Sequence, residues 1–257
     1  MRIRVLGTMR VWDGDRWTVV GAAQQRLLLA VLLIDGGAVG TERLVEEIWG
    51  GHPPRGAYGT LHGYVFRLRR LIGQGPNGPL VRRDGGYELI LSDGDLDAHV
   101  FAEILAVARR EMGVGRVERA ASRLTHALGL WRGRALADVT PTPAVVAEAA
   151  RLERARLEAS ELRVRAWSRL GRHIEVVEAA RRLVEQHPLC EALWEHLMAG
   201  LGALGRRHEA LDVYRRAREV MVSALGLEPG PRLRAIQRNV LDDDCAIDPP
   251  YSASRPA

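Results

Sequence analysis

The sequence contains no lysine: all 37 basic residues are arginine. That absence removes a Walker A loop, a Schiff-base lysine and a kinase-type lysine together, and it hints at a GC-rich coding sequence. Cysteine is almost missing as well. Cys190 and Cys245 stand apart without a CxxC pair, so neither a disulfide framework nor a zinc site is expected, and a reducing cytoplasm fits. The histidines are scattered, without HExxH or paired-ligand spacing, and no metal is expected. Neither a Gly-x-Ser-x-Gly string nor a Ser/His/Asp set occurs, so the chain reads as a non-enzyme with no catalytic residue and no cofactor. No apolar run is long enough to cross a membrane. The opening Met-Arg-Ile-Arg-Val-Leu-Gly is too short and too charged for a signal peptide. A cytoplasmic, nucleoid-associated protein with no membrane partner is the expectation.

The most informative absence is local. Between Ile48 and Arg83 there is no Asp or Glu, although the whole chain has 32 of them. The same stretch carries Arg55, Arg67, Arg69, Arg70, Arg82 and Arg83, with His52 and His62 between them. The overall charge of +5 is modest, so a nucleic-acid signal has to come from this clustering. Inside it, Leu61, Val65, Leu68 and Ile72 follow the spacing of one helix face, which predicts a helix lying over a core. Gly59, Gly63, Phe66, Arg67 and Arg70 fall on the opposite face. An arginine-bearing face with Gly63 at its centre can approach a polyanion closely, because glycine adds no side chain there. After a break at Gly73 to Gly78, Leu80 to Arg83 and Tyr87 to Leu91 read as a hairpin turned by Asp84-Gly85-Gly86, with Arg82 and Arg83 near its tip. Helix followed by basic hairpin is a winged-helix layout; the plain alternative is a solvated arginine-rich helix beside an ordinary hairpin.

Upstream, Arg2 to Leu6, Met9 to Trp12 and Trp17 to Val20 predict a small antiparallel sheet. A helix from about Ala22 to Ile34 follows, with Leu27, Leu28, Val31 and Leu32 as its buried side. Thr41 is expected to cap a second helix through Ile48, with Glu42 in its first turn. The acidic turn Ser92-Asp93-Gly94-Asp95 ends the strand signals, giving one domain over residues 1–93. A fragment ending near Ser92 is therefore expected to hold a complete core.

Residues 97–241 read as all helix. Leu170-Gly171-Arg172-His173 returns as Leu204-Gly205-Arg206-Arg207 at an offset of 34, the period of tetratricopeptide helix pairs. Small or apolar residues recur at matching steps: Val176, Ala180 and Leu183; Ala210, Tyr214 and Ala217; and, after Gly115, Ala120, Leu124 and Ala127. Stacked pairs make a superhelix with a groove for a partner. Trp131 to Asp138 reads as an irregular connection, and Trp49, Trp131, Trp167 and Trp194 as core residues. Residues 242–257 read as a flexible tail. The expected fold class is an α+β winged-helix DNA-binding domain with an N-terminal antiparallel sheet, followed by an all-α tetratricopeptide-like repeat domain.

Several strings in order carry a family resemblance. They are Gln25 to Ala30, Leu44 to Trp49, Thr60-Leu61 through Tyr64-Val65 to Arg67-Leu68-Arg69-Arg70, Trp131-Arg132-Gly133 with Ala135 to Asp138, His187-Pro188-Leu189, and Leu225 to Pro231 with Leu233-Arg234. Over roughly residues 1–241 the chain resembles a Streptomyces antibiotic regulatory protein, a response-regulator-type winged helix joined to a bacterial transcriptional activation domain. The resemblance implies binding to directly repeated sites in double-stranded promoter DNA, contact with RNA polymerase at sigma or alpha subunit surfaces, and activation of antibiotic and other secondary-metabolite genes. A homodimer or oligomer on DNA is expected. It departs from many relatives at His62 and Phe66, where they show Gln and a small polar residue, so their base preference does not carry over. The ATPase and phosphopeptide-binding modules of larger relatives, and a receiver domain, are not expected within this length.

The resemblance also places an arginine at Arg67, suited to a guanine edge or to a phosphate. Arg69 and Arg70 are expected at phosphates, and Thr60 and Tyr64 at phosphate oxygens, with Tyr64 equally placed as a half-buried core residue. Phe66 is set either to touch a thymine methyl or to pack on the wing. Arg83 either enters the minor groove or stays solvated. The candidate DNA-binding residues are thus Arg55, Thr60, His62, Gly63, Tyr64, Phe66, Arg67, Arg69, Arg70, Arg82 and Arg83. The competing function is a tetratricopeptide-type protein-interaction adaptor whose winged helix does not bind DNA.

Overall fold

A computed structural model describes residues 2–73 and 78–242; the tail beyond 242 and the middle of the Gly73 to Gly78 break lie outside the described residues. Among the latter there are ten helices and two small antiparallel sheets. Contacts divide the chain into two compact units. The first holds the residues up to Ala106 with His126–Leu157, and the second holds Val107–Thr125 with Glu158 onward.

In the first unit, β1 (Arg2–Arg4), β2 (Arg10–Trp12) and β3 (Trp17–Val19) form a meander. Alternation buries Ile3 and Val11 and leaves their neighbours outward. Helix α1 (Ala23–Asp35) departs from the one-sided helix that its spacing predicts: Leu27 to Leu33 are all buried. The reason is tertiary, because α1 is packed by α2 (Thr41–Trp49), α3 (Ala57–Ile72), and the strands β4 (Ala38–Gly40) and β6 (Gly86–Leu89).

Strand β4 escapes sequence reading because Ala38-Val39-Gly40 is too short to show a period. It nevertheless sets the second sheet, in the order β4-β6-β5, with β5 at Leu80–Arg83. Gly86 has to be glycine here, since a Cβ on it would lie 2.0 Å from the Val39 carbonyl oxygen. Thr41 does not cap α2. Gly40 holds the N-cap position, while Thr41 donates its N–H and its Oγ1 hydroxyl to the Gly85 carbonyl at 2.7 and 2.8 Å. That pins the hairpin turn to the start of α2.

The irregular stretch after Trp131 fastens the connection between β1 and β2. Arg132, Leu136 and Ala137 donate backbone N–H groups to the carbonyls of Leu6, Val5 and Gly7. Asp97 Oδ1 accepts the Val5 N–H at 2.8 Å, and Asp138 Oδ1 accepts that of Met9 at 2.7 Å. Arg26 donates to the Asp138 carbonyl and to the Val20 and Gly21 carbonyls. Leu136 takes a left-handed backbone (φ 53) to reach its bond, a strain of order 1 kcal/mol held by its buried side chain.

In the second unit three glycine turns share one backbone geometry, and the last two stand 34 residues apart. Gly115, Gly171 and Gly205 all hold left-handed φ, at 76°, 69° and 72°. The residue after each glycine bonds back in the same way: Arg116 to Glu111, Arg172 to Trp167 and Arg206 to Leu201. Each turn thus ends one helix and starts the next by a glycine-dependent C-terminal motif. Helices α4 (Asp97–Gly113) and α5 (Val117–Gly129) flank the first turn, α6 (Pro143–Arg169) and α7 (His173–Gln186) the second, and α8 (Glu191–Ala203) and α9 (Arg207–Leu225) the third; α4 and α6 begin, and α5 ends, in the first unit. Ala120, Leu124, Ala127, Val176, Ala180, Ala210 and Ala217 are all fully buried. Gly200 lets α7 and α8 close up, since a Cβ there would meet Val176 and Val177 at 3.1 Å. Finally α10 (Pro231–Leu241) packs on α8 and α9; Glu191 accepts the N–H of its N-cap Gly230 at 2.6 Å. Trp131 and Trp194 are buried, whereas Trp49 and Trp167 are half-buried.

Candidate nucleic-acid interface

The apolar spacing of α3 decides which way its arginines face. Leu61, Val65, Leu68 and Ile72 are buried, so the opposite strip is turned to solvent. Along it Gly59 has open space where a Cβ would go, and Gly63 has only Arg67 Nη2, 3.7 Å away. Arg67 leans back over Gly63 towards Tyr64, its guanidinium carbon 5.3 Å from that ring, as helical side chains tilt towards the N-terminus. Tyr64 is stacked on Trp49, with ring centroids 6.1 Å apart. It is therefore both half-buried and a platform for Arg67.

The basic residues separate into two kinds. Arg55, Arg67, Arg70 and Arg82 are exposed and make no ion pair among the described residues. A guanidinium without a carboxylate partner keeps its whole field for an incoming anion. Arg69 is engaged in the fold. It is half-buried, donates Nε to the Leu80 carbonyl at 3.0 Å and sits 6.0 Å from the Tyr87 ring, so it joins α3 to β5. Arg83, at the hairpin tip, is exposed but donates to Glu88.

The remaining predicted positions lie on or beside the same strip. His62 is exposed and meets Tyr87 edge-on at 6.4 Å. Thr60 is exposed and spends its hydroxyl proton on the Gly56 carbonyl at 3.3 Å, leaving its oxygen as an acceptor. Phe66 is 59% exposed. Sequence reasoning missed the supports: Trp49 beneath Tyr64, Tyr87 beneath Arg69 and His62, and Glu88 against Arg83. Only Glu88 carried a signal, as the acidic residue paired with Val81 across the strands beside Arg82 and Arg83.

Among the described residues no group of His, Cys, Asp and Glu is arranged to hold a metal ion, and no helix is long and apolar enough to cross a membrane. Elsewhere, His196 and Cys190 are shifted by their surroundings. Burial, with Arg165 nearby, lowers His196 to about 4, and its Nδ1 lies 3.2 Å from the Ser168 hydroxyl. Burial and the adjacent Glu161 carboxylate push the Cys190 thiol up to about 12, so it stays protonated.

An unpaired arginine face on α3, a hairpin beside it and a run of helix pairs downstream are here the frame of a transcription regulator, a class that the similarity to known proteins establishes. Residues 96–241 match the bacterial transcriptional activator domain. The chain belongs to the Streptomyces antibiotic regulatory protein family of transcriptional activators. It is 34% identical to regulatory protein DnrI of Streptomyces peucetius, over 96% of this chain and 94% of that protein. It is 36% identical to regulatory protein AfsR of Streptomyces griseus over its whole length, but spans only 26% of that relative. Mycobacterium tuberculosis EmbR, solved in complex with a low-affinity phosphopeptide, superposes with a TM-score of 0.85 at 30% identity, covering 94% of this chain and 65% of that one.

Proposed function

We propose that this protein is a sequence-specific DNA-binding activator of antibiotic and other secondary-metabolite biosynthesis genes. Residues 1–93 act as a winged helix, with α3 as the recognition helix in the major groove and the β5–β6 hairpin as the wing. Residues 97–241 act as a tetratricopeptide-like activation domain that contacts RNA polymerase, through its sigma or alpha subunit. Two copies occupy directly repeated half-sites, and the protein works in the cytoplasm on the nucleoid.

The observation that carries this reading is the solvent strip of α3. It combines an open glycine line at Gly59 and Gly63 with Arg67 and Arg70 unpaired beside it and no acidic residue from Ile48 to Arg83. Such a strip can meet phosphates and base edges without neutralising itself internally. A protein-interaction adaptor has one observation of its own, a groove of about 550 Å³ in the second unit between Trp194, Leu197, Val213 and Val220. Genome-wide mapping of bound sites separates the two. The activator gives discrete promoter sites containing directly repeated motifs, whereas an adaptor gives no motif of its own.

A further inference from the structure

The chain has two phenylalanines, and they sit in opposite environments. Phe101 is 1% exposed and packs edge-on against Trp131, whereas Phe66 is 59% exposed. A large apolar ring is normally a core residue, and nothing in the folding of α3 calls for one at this position. The hairpin does not cover it either. The Tyr87 ring of β6 is met by His62 and Arg69, and no ring stacks on Phe66 among the described residues. At about 100° per residue, Phe66 lies roughly 60° to one side of Gly63 and Arg67 roughly 40° to the other. The open glycine line is thus bordered by a guanidinium on one flank and a bare phenyl ring on the other.

A partner that seats on this strip has to match both flanks. The unpaired Arg55, Arg67, Arg70 and Arg82 select a polyanion, and a duplex major groove presents one protruding apolar group, the C5-methyl of thymine. We infer that Phe66 is a specificity-determining residue that reads thymine by covering this methyl, next to the base step that Arg67 approaches. The inference rests on the DNA-binding reading given above. It supplies a base preference for one position of the strip.

The test uses the full chain. Duplexes are enriched from a random library, and the enriched site is resynthesised with deoxyuridine replacing each thymine in turn, which deletes only the methyl. At one position deoxyuridine weakens binding about fourfold, the worth of one buried methyl. Phe66→Ala, which alters an exposed side chain and leaves the fold intact, binds the thymine and deoxyuridine duplexes equally, while Phe66→Leu keeps part of the preference. If deoxyuridine is tolerated at every position, or if its penalty persists undiminished in Phe66→Ala, the thymine inference is wrong and DNA binding stands. If no duplex is enriched at all, the DNA reading falls and the thymine inference falls with it.

Discussion

Asp138 accepts the backbone N–H of Met9 at 2.7 Å across 129 positions of sequence. Its carbonyl accepts from Arg26 of α1 at 2.8 Å. Met9 is fully buried, and a buried donor left unpaired costs about 1–3 kcal/mol. Asp138→Ala should therefore destabilise the chain by about 2 kcal/mol or more in urea unfolding, and Asp138→Asn, which keeps an acceptor oxygen, by less.

The same clamp bears on truncation. A chain cut after Ser92 loses Asp97, Arg132, Leu136, Ala137 and Asp138, and with them the partners of the Val5, Leu6 and Met9 N–H groups. The sequence leads one to expect a complete core in such a fragment; the bonds from Asp97 and Asp138 to Val5, Leu6 and Met9 argue for the opposite outcome. The fragment should lack a cooperative unfolding transition; a sharp transition by circular dichroism would contradict this.

The α3 strip was legible because burial of four apolar residues at helical spacing fixes where every other residue on the helix points. The repeat turns were legible because left-handed backbone at Gly115, Gly171 and Gly205 demands glycine, and glycine leaves a mark in sequence. The docking of Arg132, Leu136 and Ala137 on Leu6, Val5 and Gly7 left no such mark, since backbone-to-backbone bonds between distant segments require no particular side chain. The intramolecular partners of Arg69 and Arg83 were hidden for the opposite reason. Composition counts an arginine equally whether its guanidinium is free or already bonded, and only the fold shows Arg69 spent on Leu80.

That division is testable. Arg69→Ala should lower stability by about 1 kcal/mol, the worth of a typical hydrogen bond, whereas Arg70→Ala should leave stability within about 0.5 kcal/mol and weaken cognate and random DNA alike. Thermal unfolding and DNA titration of both variants give the comparison. Equal stability of the two would show that the Leu80 bond contributes nothing.

Glu88 restrains Arg83 at the hairpin tip. Glu88→Gln removes the carboxylate charge, so Arg83 becomes available to a phosphate. The variant should bind duplex DNA more tightly at low salt, with the salt slope steeper by about one contact. An unchanged slope would mean that the hairpin tip does not touch the backbone.

His196 predicts an acid-labile second unit. Its folded value of about 4 lies below the ordinary 6.5, so the neutral ring is the form that the fold favours. Stability from this group is fully present above pH 6.5 and is lost as pH falls towards 4, up to about 3 kcal/mol by linkage. His196→Gln should flatten the fall in urea stability between pH 7 and pH 5; an identical slope in the variant would remove His196 as its cause.

If the unpaired arginines of α3 meet phosphates and bases, the affinity for duplex DNA has to depend steeply on salt. Full-length protein on an enriched promoter site should lose affinity linearly in log salt, by about 0.9 log units per log unit for each phosphate neutralised. Arg70→Ala should lower that slope by about one contact, and Arg67→Ala should reduce discrimination at one base pair by about 1–3 kcal/mol. A flat salt response, with both variants binding like the native chain, would contradict the claim.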